Sequence, residues 1–417
     1  MSDKQSVIII GGGAIGLCSA YFLSQKGASV TLLDKGEMGQ ACSLHNAGYI
    51  SPSHFVPLAA PGLFMQGLKW MFDSRSPLYI KPRLDPAFLS WVWKFRKACD
   101  ETVMRRAMPV LCDLLAESLR LTQELSTQEG MNFEFTTNGL LILHNTEESR
   151  RSLEHEAHLA KEIGVEARIL NKSELQQLDP AVEYLAHGAV YFPGDAQVLP
   201  AKYVADLAAC VHKNGVNVIP GCEVTGFEKS GDRISGLRTI KGSFHADEYV
   251  LAGGAWSPAL IRELGIKMYL EAGKGYSITV NNPPMKPGFP AIFTEKRIAI
   301  TPFSDSLRFA GTMELSGVNL DIRQERVNAI LDALPLYYGN IVRPDLSKAQ
   351  VWCGMRPVTP DGMPYIGRFK QCKNLIAATG HAMLGISLSM ATGKLVSEIA
   401  AGKSSFDLTL LDPNRYS

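Results

Sequence analysis

The chain has 417 residues, enough for two domains and a substantial buried core without disulfides or a structural metal. Forty-two Lys and Arg against 41 Asp and Glu leave a net charge of +1, which argues against a nucleic-acid partner. Cys18, Cys42, Cys99, Cys112, Cys210, Cys222, Cys353 and Cys372 form no C-x-x-C pair and have no histidine at zinc spacing, so they read as reduced thiols of a cytoplasmic protein.

The short β-branched run Ser6–Ile10 predicts a strand, Ala14–Lys26 a helix and Ser29–Leu33 a second strand. Residues 60–130 carry helical signals and many aromatics. Gly139–His144 reads as a strand and Glu147–Ile163 as a helix. Lys202–Lys213 predicts a helix feeding a strand at Val216–Pro220, with short strands at Glu223–Glu228, Ile234–Ile240 and Tyr249–Ala252. Gly275–Val280, Ile298–Pro302 and Leu307–Gly311 read as strands, and Val327–Leu334 as a helix. Asn374–Ala378 and Leu384–Ala400 close the chain as strand and helix.

Mononucleotide-binding α/β signals therefore recur at the start, the middle and the end. The fold expected is α/β: a Rossmann-like domain interleaved with an α+β domain containing a mixed, largely antiparallel sheet. Residues 1–60, 195–262 and 350–417 are expected in the first domain, and 61–194 and 263–349 in the second. Two stretches without Asp, Glu, Lys or Arg, Met38–Leu68 and Asn374–Gly393, are too polar to span a bilayer and read as buried segments around a ligand.

Gly11-Gly12-Gly13-Ala14-Ile15-Gly16 fits G-x-G-x-x-G between a strand and a helix, and Asp34 ends the next strand. Gly11 permits the tight turn, Gly13 the approach of a pyrophosphate, and Gly16 close helix packing. The helix N-terminus stabilises the phosphate charge, and Asp34, with Lys35 beside it, suits the adenosine ribose. The uncharged segment Ser43, His45, Asn46, Ala47, Gly48, Tyr49 and Ile50 suits a loop along a flavin ring. At the far end Gly380, Met383, Leu384, Gly385 and Ile386 join a strand to a helix whose N-terminus could stabilise a reduced flavin. Two such junctions at opposite ends of one chain favour FAD over NAD.

These motifs, together with Gly253-Gly254-Ala255-Trp256-Ser257, Lys274-Gly275-Tyr276-Ser277, Gly354-Met355-Arg356-Pro357 and Thr359-Pro360-Asp361-Gly362, resemble the FAD-dependent D-amino-acid oxidase superfamily. The likeness runs along the whole chain and is strongest to bacterial D-amino-acid dehydrogenases and their hydroxyproline-oxidising relatives. It implies a small amino-acid substrate, quinone or O2 as electron acceptor, and Val224, Gly253 and Trp256 as further cofactor contacts. It implies that Arg356 binds the substrate carboxylate, where a guanidinium fork matches the anion bidentately. Tyr276 could donate to the same carboxylate, and His54 and His381 are candidate pocket residues. The expected reaction is hydride transfer from Cα to flavin N5, with no side-chain acid or base. Two alternatives stand beside it: an oxidase for glycine, sarcosine or another N-alkyl amino acid, and a non-catalytic flavoprotein assembly factor.

His45 lies where some N-methylglycine dehydrogenases of the superfamily carry a flavin-linked histidine. A noncovalent FAD is expected, with a covalent bond at His45 as the alternative; Cys353 raises a similar, weaker question. Trp70, Trp91 and Trp93, near Lys69, Lys94, Arg96 and Lys97, either pack the helical region or rest peripherally on the inner face of the cell membrane.

Overall fold

In the computed structural model, residues 4–70 and 76–417 are described; Phe72 and the side chain of Lys69 lie outside them. Two main sheets organise the described residues. The six-stranded sheet has the order Tyr365–Phe369, Cys372–Thr379, Glu248–Leu251, Ser6–Ile10, Ser29–Leu33, Asn217–Ile219. Its pairings are parallel except the first. Strands covered on both faces must be apolar throughout, which is why Val7, Ile8, Ile9 and Ile10 are all buried. The helix Ala14–Gln25 is apolar nearly all round for the same reason. Gly27, at φ +83°, closes it in the left-handed conformation that glycine adopts without strain.

The nine-stranded sheet runs Gln350–Val358, Glu271–Asn281, Ser306–Leu315, Ile298–Pro302, Ala291–Phe293, Leu140–His144, Gly188–Phe192, Arg168–Asn171, with Leu78–Ile80 beside Ser306–Leu315. It is antiparallel apart from two junctions, Ala291–Phe293 with Leu140–His144 and Leu78–Ile80 with Ser306–Leu315. One face packs on the helix Gln324–Ala333 through Tyr276, Ile278 and Cys353. The other face bears Arg356, Gly354 and Trp352 opposite Gly273, Gly275 and Ser277.

Two expectations about domain membership need correction. The strand Gln350–Val358 belongs to the nine-stranded sheet, so a boundary at 350 severs it from its partners; strands of the six-stranded sheet resume only at Tyr365. The helix Glu101–Ser126, expected in the second domain, buries Ala107, Leu111, Leu114 and Leu115 in the core that includes Ala14–Gln25 and Ser389–Ala400. Lys394 reaches Glu117 at 2.7 Å across that contact. The helix carries an apolar stripe long enough to bridge both units.

The aromatic region divides. Trp91 is buried, donates to Val358 O at 3.0 Å, and stacks on Phe88 and Phe95. Trp93, on the opposite side of the same helix, is 53% exposed beneath the Lys97 ammonium, and Met65, Leu84 and Leu89 are exposed nearby in sequence. No helix among the described residues is long and apolar enough to cross a membrane.

Candidate cofactor and substrate site

A cavity of about 1770 Å³ runs from the first glycine turn to the face of the nine-stranded sheet. That is larger than the 300–1,000 Å³ of ordinary ligand pockets and suits an extended dinucleotide with a small second ligand. Gly11, Gly13, Ala14, Ile15, Asp34, Lys35, Val224, Gly253 and Trp256 line one end. The chain approaches itself so closely there that only glycine fits. A Cβ on Gly11, whose φ is +112°, would lie 2.4 Å from Ala252 O, and one on Gly16 would lie 1.8 Å from Gly11 O. Gly13 caps the helix without a side-chain hydrogen bond, while Ala14 N donates to Ser43 Oγ at 3.0 Å. Asp34 accepts from Gly12 N (2.7 Å) and Gly36 N (2.8 Å), which fixes its carboxylate at the cavity wall. The Lys35 ammonium sits 4.0 Å over the Trp256 ring. This glycine-walled cradle fits the adenosine and pyrophosphate of FAD.

At the other end the two polar segments predicted from opposite ends of the chain meet. Asn46 Nδ2 donates to Met383 O at 3.3 Å, and Ser387 Oγ to Tyr49 O at 2.5 Å. Ser43, His45, Asn46, Ala47, Tyr49, Met383, Leu384, Gly385 and Ile386 line the cavity. The Tyr49 hydroxyl donates to Ala291 O and Ile300 O, tying the loop to the nine-stranded sheet. His45 is buried, its Nδ1 has no partner, and its ring stacks on Trp352 at 4.6 Å. Burial, with Arg308 adding to it, lowers its pKa to about 4.

Four expected cofactor residues do not reach the cavity. Gly16 and Gly380 serve close packing, Gly380 against Thr359 Cγ2. Gly48, at φ +87°, presses on Val198 O, and Ile50 is in the core. The last helix begins at Ser389, not Leu384, because residues 385–388 form turns. Its N-terminus is therefore not at Gly385.

Arg356 extends from the strand Gln350–Val358 into the cavity. Nη1 donates to Thr312 O at 2.7 Å, and no ion pair to Arg356 occurs among the described residues. A Cβ on Gly275 would lie 2.3 Å from its Cζ, so that glycine makes the guanidinium's seat. Burial lowers the Arg356 pKa to about 10, and the group stays charged at neutral pH. An uncompensated cation in a cavity wall is a ready anion site. Tyr276 does not join it. Its side chain packs on the opposite face of the sheet, where the hydroxyl donates to Glu314 Oε2 at 3.0 Å. Glu314 also meets the buried Lys274 at 3.4 Å. Cys353 lies on that far face too, donating to Leu320 O, and is turned from the cavity.

His54 and His381 both line the cavity. Burial lowers their pKa values to about 4 and about 3, so both are neutral. His381 Nε2 pairs with Thr392 Oγ1 at 3.0 Å. Sequence reasoning missed Arg308, a second buried guanidinium with no acid partner among the described residues. It bonds Thr279 Oγ1, Leu44 O and Asn46 O, and so holds the loop that carries His45. It sits in an apolar strand with no motif around it; only its register opposite Thr279 shows which face it takes.

The family model for FAD-dependent oxidoreductases matches residues 6–399. The chain is 31% identical over 412 residues to a D-amino acid dehydrogenase of Methylobacterium radiotolerans, covering 95% of this chain and 96% of the relative. It is 30% identical over 403 residues to that of Granulibacter bethesdensis, with 95% and 96% covered. Among solved structures, glycine oxidase from Geobacillus kaustophilus superposes with a TM-score of 0.78 at 25% identity, over 99% of this chain and 100% of that one. L-proline dehydrogenase from P. horikoshii superposes at 0.75 and 20% identity, over 100% and 98%, a likeness of fold. The glycine cradle, the long cavity and these matches agree: the chain belongs to the FAD-dependent oxidoreductase family.

Proposed function

We propose that the protein is an amino-acid dehydrogenase that oxidises a small D-amino acid, such as D-proline or a hydroxy-D-proline, to the imino acid. The observation that carries this is Arg356: a guanidinium with no acid partner, seated on Gly275 and aimed by Thr312 O into the cavity. The named relatives supply the D-amino acid. A bound FAD would supply the acceptor for the hydride that leaves the substrate Cα. The chain's own work is to clamp the carboxylate, orient Cα and exclude water. Burial makes His54 and His381 weak bases, with pKa values of about 4 and about 3, so the amine must arrive deprotonated. FAD is held noncovalently, and His45 is the residue that a covalent link would use. Quinone is the proposed acceptor. Leu89 and Trp93, exposed one turn apart on the helix Pro86–Ala98, with Lys97 over Trp93, would meet the inner membrane surface.

The likeness to glycine oxidase favours a second reading, oxidation of glycine or an N-alkyl amino acid. Anaerobic bleaching of the flavin by a panel of D-, L- and N-methyl amino acids separates the two. D-amino acids are expected to bleach it; bleaching only by glycine and N-methyl compounds would establish the second reading. Arg356→Leu is expected to lower kcat/KM roughly thirty-fold or more, since truncating a buried charge pair costs about 2–5 kcal/mol. Near-normal kcat/KM in that variant would refute the carboxylate assignment.

A further inference from the structure

Trp352, Gly354 and Arg356 alternate along one strand and so share a face; opposite them stand Ser277, Gly275 and Gly273. Arg356 and Trp352 both fold over glycine. A Cβ on Gly275 would meet Arg356 Cζ at 2.3 Å, and a Cβ on Gly354 would meet Trp352 Cη2 at 1.8 Å. Gly275 and Gly354 are themselves a directly opposed pair. The guanidinium and the benzo edge of the indole therefore converge over bare backbone. The Cβ positions of such a pair are about 5 Å apart, which sets the scale of the gap. Both side chains line the cavity.

The indole is held in place by a second ring that also lines the cavity. His45 stacks on it with ring planes 28° apart, and the His45 loop is pinned by Arg308 on Leu44 O and Asn46 O and by Thr301 on Ala47 O. The neighbouring cavity position on the next strand, Ala310, is too small to contribute a wall. A ligand with its carboxylate on Arg356 has the indole edge as its large apolar neighbour a few ångströms away.

We infer that Trp352 is the specificity-determining residue of this site: it meets the substrate side chain and limits it to compact groups of a few heavy atoms or one small ring. This rests on the amino-acid dehydrogenase reading. Trp352 acts on side-chain size, whereas Arg356 acts on every carboxylate alike.

The test uses the FAD-loaded enzyme and the variants Trp352→Ala and Trp352→Phe. Flavin reduction is measured with D-alanine, D-proline, D-leucine and D-phenylalanine. Binding of acetate, isobutyrate and cyclohexanecarboxylate, which cannot be oxidised at a Cα–N bond, is measured by calorimetry. Trp352→Ala is expected to raise the ratio of kcat/KM for D-phenylalanine over D-alanine by roughly tenfold or more, the scale on which an apolar wall discriminates. The change should depend on ligand size: cyclohexanecarboxylate is expected to bind more tightly relative to acetate in the variant than in the parent. Trp352→Phe, which keeps an aromatic wall, should stay near the parent. If Trp352→Ala changes all substrates and all three carboxylates by one factor, or changes none, the inference is overturned. If no amino acid reduces the parent's flavin, the dehydrogenase reading itself falls, and the carboxylate series still reports whether Trp352 gauges ligand size.

Discussion

Thr312 holds φ at +58°, a conformation that a β-branched residue rarely adopts, and its Oγ1 is buried without a partner. Both features cost stability, about 1–3 kcal/mol for each such strain or orphaned group. What they secure is the direction of the Thr312 carbonyl, which takes Nη1 of Arg356. Thr312→Gly should relieve the strain, because glycine occupies this region freely. The expected outcome is a rise in stability of about 1 kcal/mol or more in urea unfolding, together with a several-fold higher KM as the retained carbonyl becomes free to turn from the guanidinium. A variant less stable than the parent would contradict this account. The site therefore holds its cation on a backbone carbonyl, so the charge remains available to a ligand.

The helices Ala14–Gln25 and Ser389–Ala400 meet where Gly393 faces Cys18. A Cβ on Gly393 would lie 2.5 Å from the Cys18 carbonyl carbon, backbone that cannot turn aside. Gly393→Ala must separate the helices, and overpacking of this kind costs about 1–3 kcal/mol. Denaturant unfolding is expected to show that loss, and FAD affinity to weaken, because the moved helix carries the glycine cradle at its N-terminus. Unchanged stability would mean the contact yields without cost. Elements of this kind were legible from sequence where one physical signal dominated. The helix read at Glu147–Ile163 followed from its polar face, with Thr146 capping it in the structure, and the first strand–helix–strand unit followed from its glycines. Gln350–Val358 was not read as a strand. One of its faces packs a core and the other lines the cavity, so it alternates neither cleanly nor apolarly, and it contains Gly and Pro. Arg356 was found by its motif; Arg308 and the Trp352–His45 stack depend on which strands lie side by side, which no local pattern states. Tyr276 was misplaced for the same reason, since one residue along a strand exchanges the faces of a sheet.

Across the molecule, the buried Asp195 joins two distant segments, accepting from Ser53 N at 3.1 Å and from Ser53 Oγ at 2.5 Å. Burial raises its pKa to about 7, against 3.8 for the free side chain. A carboxyl raised in the folded state binds its proton more tightly there than in the unfolded chain. Its stabilising contribution is thus complete below about pH 4 and is lost as pH rises through 7. His45, His54 and His381, all lowered, act in the opposite sense and withdraw stability below about pH 6.5. Comparing Asp195→Asn with the parent cancels the histidines. Asparagine can still accept from Ser53 N and donate to Ser53 Oγ. The stability difference in favour of the variant is expected to grow between pH 5 and pH 8, at roughly 1 kcal/mol per pH unit or less. A difference independent of pH would show that Asp195 is ionised throughout.

The order of the six-stranded sheet also sets a timetable. Ser6–Ile10 pairs with Glu248–Leu251, which in turn pairs with Cys372–Thr379. At a synthesis rate of about 5–20 residues per second, the first strand waits roughly 10–50 s for one neighbour and its sheet roughly 20–75 s for completion. Throughout that interval the nascent chain carries an apolar strand whose edge lacks its later partner, a template for wrong pairing. Slowing synthesis would lengthen this exposure, and a chaperone that binds extended apolar segments would find its target in Ser6–Ile10.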